Sequence, residues 1–237
     1  MELYTFIYFI PMVLSAIFSL KAFTQKWPKP FKVFSIFLII SVVVEASATI
    51  WSFGIKRKWF PSYLLQYTEY NTWIYNIGLI LSGIVSTYFF YCLVKSPIVR
   101  KFLLTILWLL SVLSIVNYFF IQGPHQLNSI SLVPFAFITI TFSTICLFQL
   151  VSDEQIVSLS RQAITWLLLG QFIYALFAIM LFLNFTFLID RLTLFASKYL
   201  YSQDIVNIIC YTFYLIGYLC KPHPKQPSTQ SSYPVLS

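Results

Sequence analysis

Residues 31–53 read FKVFSIFLIISVVVEASATIWSF, an almost unbroken apolar run with one carboxylate, Glu45, in its second half. A bilayer-spanning helix needs about 20 mostly apolar residues, and this run has them. A charged carboxylate at the centre of such a helix costs about 2.5–3.5 kcal/mol on insertion scales, whereas each Leu, Ile, Val or Phe returns about 0.3–0.6 kcal/mol. The aliphatic residues carry the helix into the membrane in spite of Glu45. Its carboxyl group is therefore expected to turn away from lipid toward other helices, neutral or hydrogen-bonded.

Six further runs are of the same kind: residues 4–23, 71–94, 102–121, 129–151, 163–188 and 205–220. The expected fold class is thus an all-α integral membrane protein, a seven-transmembrane helix bundle over residues 1–220. Composition agrees, since 59% of the 237 residues are hydrophobic and 9% charged, where soluble domains carry about a quarter charged. Residues 221–237, rich in Pro, Ser and Gln, have little apolar surface to bury and are expected to form a disordered cytoplasmic tail. A cleavable signal peptide is not expected, because Glu2 stands where a basic region belongs and the positive charges follow the apolar stretch.

The connectors give an orientation. Lys21, Lys26, Lys29, Lys32, Lys95, Arg100, Lys101, Arg161, Lys221 and Lys225 fall on one side, ten of the fifteen basic residues. Positive-inside bias makes that side cytoplasmic, with the N-terminus outside and the C-terminus inside. Lys56, Arg57 and Lys58 form the one basic cluster on the other side. The net charge of +8 belongs to these short connectors, so nucleic acid is not an expected partner and the lipid bilayer is. Residues 59–70 and 192–201, aromatic and apolar with few charges, read as connectors lying in the outer headgroup layer. Trp27, Trp51, Trp73 and Trp166 fit an interfacial aromatic belt.

Several kinds of chemistry lack their residues. Cys92, Cys146, Cys210 and Cys220 lie in or beside apolar runs without a CxxC pair, and three of them fall toward the cytoplasmic side, so they read as small core residues. His125 and His223 fall at opposite ends of the topology. No metal set, Ser-His-Asp set, HExxH or phosphate-cradling Gly loop occurs, and no Lys in the seventh run provides for a retinal Schiff base. Neither a cofactor nor an enzymatic activity is expected.

What remains is polarity inside the membrane. Ser41, Glu45, Ala48, Thr49 and Ser52 share one helical face of the second run. Comparable stripes are Tyr4, Tyr8, Pro11, Ser15 and Ser19 in the first run, Thr72, Asn76, Ile80, Gly83 and Thr87 in the third, and Asn207, Tyr211, Tyr214 and Tyr218 in the seventh. Asn117, Gln171 and Tyr174 add to them from the fourth and sixth. One reading makes Glu45, Asn76, Asn117, Gln171, Tyr174, Asn207, Tyr211 and Tyr214 the lining of an outward-facing ligand pocket in which Glu45 is the only interior charge. The other makes the neutral side chains interhelical glue worth roughly 0.6–2 kcal/mol per contact. Gly78, Ser82 and Ser86 read as a close-packing seam. Pro11 and Pro134 are places where a helix can bend.

Four local strings carry a resemblance: KWPKPF at residues 26–31, NTWIYN at 71–76, FIQG at 120–123 with LN at 127–128, and LCKP at 219–222. They resemble small seven-helix inner-membrane proteins of Bacteroidota, a family without assigned chemistry. The resemblance implies a multi-pass protein of a bacterial inner membrane, a bundle without attached domains, and company with signalling proteins; it transfers no catalytic residue.

Three functions are open on this reading. The first is a receptor-like or sensor-like protein that binds a small-molecule or lipid ligand from outside and acts with a separate signalling protein. The second is a small transporter or channel, proton-coupled through Glu45. The third is a scaffold or assembly factor in which every polar stripe is packing.

Overall fold

A computed structural model describes residues 7–60, 71–123, 128–152, 162–191 and 193–220, with side chains at all of these except 129, 181–191 and 193–201. Every described element is helical. α1 spans Phe9–Ser19 and, after Leu20, continues as one turn, Lys21–Thr24; α2 spans Lys29–Lys56; α3, Thr72–Leu93; α4, Pro97–Val116, closed by a π turn at Asn117–Ile121. α5 spans Ser129–Ser152, α6 Ala163–Arg191 and α7 Thr193–Leu219. Five helices are long and apolar enough to cross a membrane: α2, α3, α4 with its π turn, and the segments Ile130–Ser152 and Ala163–Met180. The chain is an all-helical, multi-pass membrane protein.

The ends of the helices follow from local chemistry. Pro30 and Pro97 stand in the first turns of α2 and α4, where the missing N–H costs nothing and the fixed φ starts the helix. α2 ends in a Schellman closure, with Trp59 N–H bonded to Gly54 O at 2.9 Å and Lys58 N–H to Ile55 O at 3.0 Å, which puts Lys58 at φ 57°. The basic cluster 56–58, anomalous for orientation, is thus a helix C-terminus. Cations there complement the helix dipole, and the Arg57 guanidinium rests 5.1 Å from the Phe53 ring centroid.

One expected connector is absent. Residues 193–201 are the first turns of α7, and α6 runs to Arg191, so residue 192 alone separates two helices where a headgroup-layer segment was expected. The aromatic and apolar residues that suggested an interfacial segment suit a longer helix equally well. Most of the other such connector, residues 61–70, lies outside the described residues, as do the tail 221–237 and the start of the first run.

The helices close a ring in the order α1, α2, α3, α5, α6, α7 and back to α1; α4 stands outside it, against α3 and α5. The outer surface is inverted relative to a soluble protein. Ile10 on α1, Val43 and Ile50 on α2, Trp108 and Phe120 on α4, Phe148 on α5 and Met180 on α6 are exposed, as expected where lipid replaces water. α4 buries only Leu103 and Ser114 along its whole α-helical length.

Inside the ring the two ends differ. Toward the lysine-rich end the interior is an aromatic plug. Phe34 of α2 meets Phe89 of α3 at 5.0 Å and Tyr214 of α7 at 4.9 Å between ring centroids, and Trp27 stacks on Tyr218 at 5.7 Å and 12°. Tyr218 donates to Phe31 O at 2.7 Å, and the Ser35 hydroxyl lies 3.0 Å from Tyr218 Oη and 2.9 Å from Ser19 O, which ties α1, α2 and α7 together. Six of the eight residues from Phe31 to Leu38 are buried. Between Leu38 and Ala48 none is buried, on any face of α2, and none is between Ser202 and Ile209 on α7. These stretches of α2 and α7 are thus only partly covered, while α3 beside α2 buries Ile74, Asn76 and Gly78 at the same level.

Candidate functional site

Glu45 stands in that partly covered stretch of α2. α3 approaches α2 closely beside it, because Gly78 has no side chain: a Cβ there would fall 2.6 Å from Val44 Cγ1. One turn along α3 this approach brings the Tyr75 hydroxyl to Glu45 Oε1 at 3.2 Å. Tyr8, which caps the start of α1, donates to the same oxygen. Both phenols therefore converge on Oε1, and Oε2 has no hydrogen-bond donor among the described residues. Glu45 itself remains half-buried.

α6 and α7 complete the surroundings. Asp204, half-buried on α7, is close enough for its carboxylate to act electrostatically on Glu45, Tyr8 and Tyr75. Tyr174 of α6 and Tyr211 of α7 are likewise within electrostatic reach of Glu45. The expectation that Glu45 is the only interior charge therefore fails. The apolar run of the sequence begins at residue 205 and leaves Asp204 outside it, whereas α7 contains it. It extends the stripe Asn207, Tyr211, Tyr214, Tyr218 by one step of three residues, and that spacing was the available signal.

The eight candidate residues separate into groups. Glu45, Tyr174 and Tyr211 share the cluster just described, and half-buried Asn207 is on the same face of α7 as Tyr211 and Asp204. Asn76 and Asn117 belong elsewhere, in a sealed amide cluster between α3, α4 and α5. There Asn128 N–H donates to Asn76 Oδ1 at 2.9 Å, while Asn117 Nδ2 donates to Asn128 Oδ1 and, at 2.7 Å, to Gln122 Oε1. Asn76 and Asn117 are 0% exposed and Asn128 1%. Nothing in this cluster opens outward, and it ties the π turn of α4 to its neighbours. Gln171 accepts from Ser86 of α3 at 3.2 Å; its Nε2 finds no partner among the described residues.

Tyr214 belongs to the boundary between plug and cluster. Its ring contacts Phe34 and Phe37 and, on the other side, Tyr211 at 5.6 Å. It fits because position 170 is glycine: a Cβ there would lie 2.3 Å from Tyr214 Cε1. The residue is 1% exposed, yet its hydroxyl has no hydrogen-bond partner among the described residues.

Tyr75 was not among the candidates. It lies on the face of α3 that carries Gly78 and Ser82, which the sequence shows as a packing seam, and a seam gives no sign that an aromatic at its end reaches a carboxylate. Among the described residues no group of three or more His, Cys, Asp or Glu side chains is placed to hold a metal ion. The arrangement can accept hydrogen bonds at Glu45 Oε2, offer phenol hydroxyls, and present two carboxylates to one small volume.

No family model matches the sequence, and neither a curated protein nor a solved structure does.

Proposed function

We propose that this chain is a receptor-like or sensor-like seven-helix protein of a bacterial inner membrane. It binds a small-molecule or lipid ligand at Glu45 from the outer side and acts with a separate signalling protein. The observation that carries this reading is the unequal treatment of the Glu45 oxygens: two phenols hold Oε1, and Oε2 is left without a described donor, in the stretch of α2 between Leu38 and Ala48 where no residue is buried. A carboxylate that served packing alone would have both oxygens paired, since an unmet buried acceptor costs about 1–3 kcal/mol. The orientation rests on the basic connectors, which set the lysine-rich end in the cytoplasm. Signalling would consist of a ligand favouring one arrangement of α1, α2, α3 and α7 over another.

The transporter reading has less support, because the aromatic plug of Phe34, Phe89, Tyr214, Trp27 and Tyr218 fills the ring between Glu45 and the lysine-rich end. The test is native mass spectrometry of the full chain taken from its own membrane. The wild-type protein should carry a bound species that Glu45→Gln loses. Equal retention by both proteins, or solute movement across liposomes containing the wild type, would overturn the receptor reading.

A further inference from the structure

At the lysine-rich end, α2 and α4 each lay a cation on a tyrosine of α3, against which both helices pack. Lys29, the first residue of α2, donates from Nζ to Tyr88 Oη at 2.8 Å. Arg100, in the first turn of α4, holds its guanidinium 5.8 Å from the Tyr91 ring centroid, with Nε donating to Val94 O at 2.7 Å. The rings of Tyr88 and Tyr91 stack on each other at 5.5 Å and 12°. A continuous chain of contacts thus joins Lys29 to Arg100 across the outer side of α3, and both cations are exposed.

Hydrogen-bonding capacity is left over at every member of this chain. Lys29 keeps two of its three ammonium protons, Arg100 keeps both terminal amino groups, and Tyr88, which accepts from Lys29, still has its own proton to donate. Among the described residues no carboxylate pairs with either cation. The helix ends add to the same imbalance. Neither α2 nor α4 has an acid in its first turn or a side-chain cap, and each has a basic residue there instead. A helix N-terminus favours an anion, so a cation in that turn opposes the dipole unless negative charge comes from elsewhere. Positive-inside bias accounts for basic residues in these connectors. It does not account for two of them being anchored on one face of α3 with nothing negative between.

That face continues into the membrane. Ile77, Leu81, Ile84, Tyr88 and Tyr91 are three or four residues apart and so share one side of α3. Ile77 and Leu81, farther from the cations, are 40% and 43% exposed. Donors for an anion at the membrane boundary, followed by an exposed apolar strip, match the two parts of a phospholipid, a charged head and a hydrocarbon tail. Arg meets phosphate oxygens with two parallel bonds, and basic groups between helices at the inner membrane face suit anionic lipid heads.

We infer that α2, α3 and α4 form a binding site for an anionic phospholipid, its phosphate between Lys29 and Arg100 beside Tyr88 and an acyl chain along Leu81 and Ile77. The site is at the opposite end of the bundle from Glu45 and does not depend on the function proposed for that residue.

The test is native mass spectrometry of the delipidated full chain, titrated at constant ionic strength with dioleoyl phosphatidylglycerol or dioleoyl phosphatidylcholine. The two lipids share their chains and differ in net charge. The first phosphatidylglycerol should bind about tenfold more tightly than the first phosphatidylcholine. Lys29→Gln and Arg100→Gln should each remove most of that preference, whereas Lys26→Gln, Lys95→Gln and Glu45→Gln should retain it. Tyr88→Phe keeps both charges and should weaken the preference severalfold, which leaves the inference open to failure even if a neutralised variant does not fold. Equal binding of the two lipids, or an unchanged preference in Tyr88→Phe, would overturn it. Equal losses in all four Lys and Arg variants would overturn it in favour of diffuse surface charge. Displacement of phosphatidylglycerol by an equal concentration of glycerol 3-phosphate would overturn it in favour of a soluble phosphate. Loss of the preference in Glu45→Gln would also overturn it, because the lipid would then belong to the Glu45 site.

Discussion

Tyr75 reaches Glu45 across the α2–α3 contact, its hydroxyl 3.2 Å from Oε1, because Gly78 one turn away lets the two helices touch at Val44. Tyr8 donates to the same oxygen from α1. Three helices are thus joined at one atom, and removing either donor should be felt. Tyr8→Phe and Tyr75→Phe are each expected to cost about 1–3 kcal/mol of stability. The double variant should cost measurably less or more than the sum, since the two donors share an acceptor. Thermal unfolding of the four proteins in one detergent completes the cycle. Strict additivity would mean that the two phenols do not share Oε1.

Gly170 and Tyr214 offer a contrast between volume and polarity. Gly170→Ala places a methyl group 2.3 Å from Tyr214 Cε1, so the ring has to leave its position against Phe34. Overpacking of this kind costs about 1–3 kcal/mol. Tyr214→Phe removes only a hydroxyl that has no described partner and should leave unfolding unchanged or slightly raised. A stability loss in Tyr214→Phe as large as in Gly170→Ala would show that the hydroxyl is bonded.

Asn128 is the hub of the amide cluster, since it donates to Asn76 through its backbone and accepts from Asn117. Asn128→Ala strips Asn117 of one acceptor in a site where both residues are fully buried. The expected loss is about 1–3 kcal/mol, with ligand binding at Glu45 unaffected. The check is a paired measurement of unfolding and binding. A variant of normal stability and lost binding would place the amides in the ligand site after all.

The orientation has its own test. Lys58→Cys, just past the end of α2, should react with a membrane-impermeant thiol reagent applied to intact cells, whereas Lys95→Cys, between α3 and α4, should react only once the membrane is opened. The reverse pattern would invert the topology.

Much of the fold was legible in hydropathy, because lipid imposes one rule on the whole outer surface. The limits of α3, α5 and the start of α6 follow from it within a residue or two. What hydropathy did not carry is helix length beyond the bilayer, and so residues 193–201, the first turns of α7, read as a connector and Asp204 as peripheral. Glu45 was legible as a buried carboxylate from insertion cost alone. Its partners were not: polar stripes show that Asn76 and Tyr211 face protein, but only the order of helices around the ring decides that Tyr211 lies near Glu45 while Asn76 joins Asn128. Nor does a stripe show that Tyr75, on the seam face, turns toward α2. The basic cluster 56–58, which topology rules left unexplained, became intelligible once the Schellman closure placed it at a helix C-terminus.

On the proposed reading, position 45 faces water from the outer side of the membrane. The most direct measurement is the reactivity of Glu45→Cys, in a background with the four native cysteines replaced by alanine, toward a membrane-impermeant thiol reagent on intact cells. Modification from outside is expected at a rate within reach of an exposed control, Lys58→Cys. Modification only after denaturation would show the site sealed, and the protein would then be a packed helical assembly without a ligand.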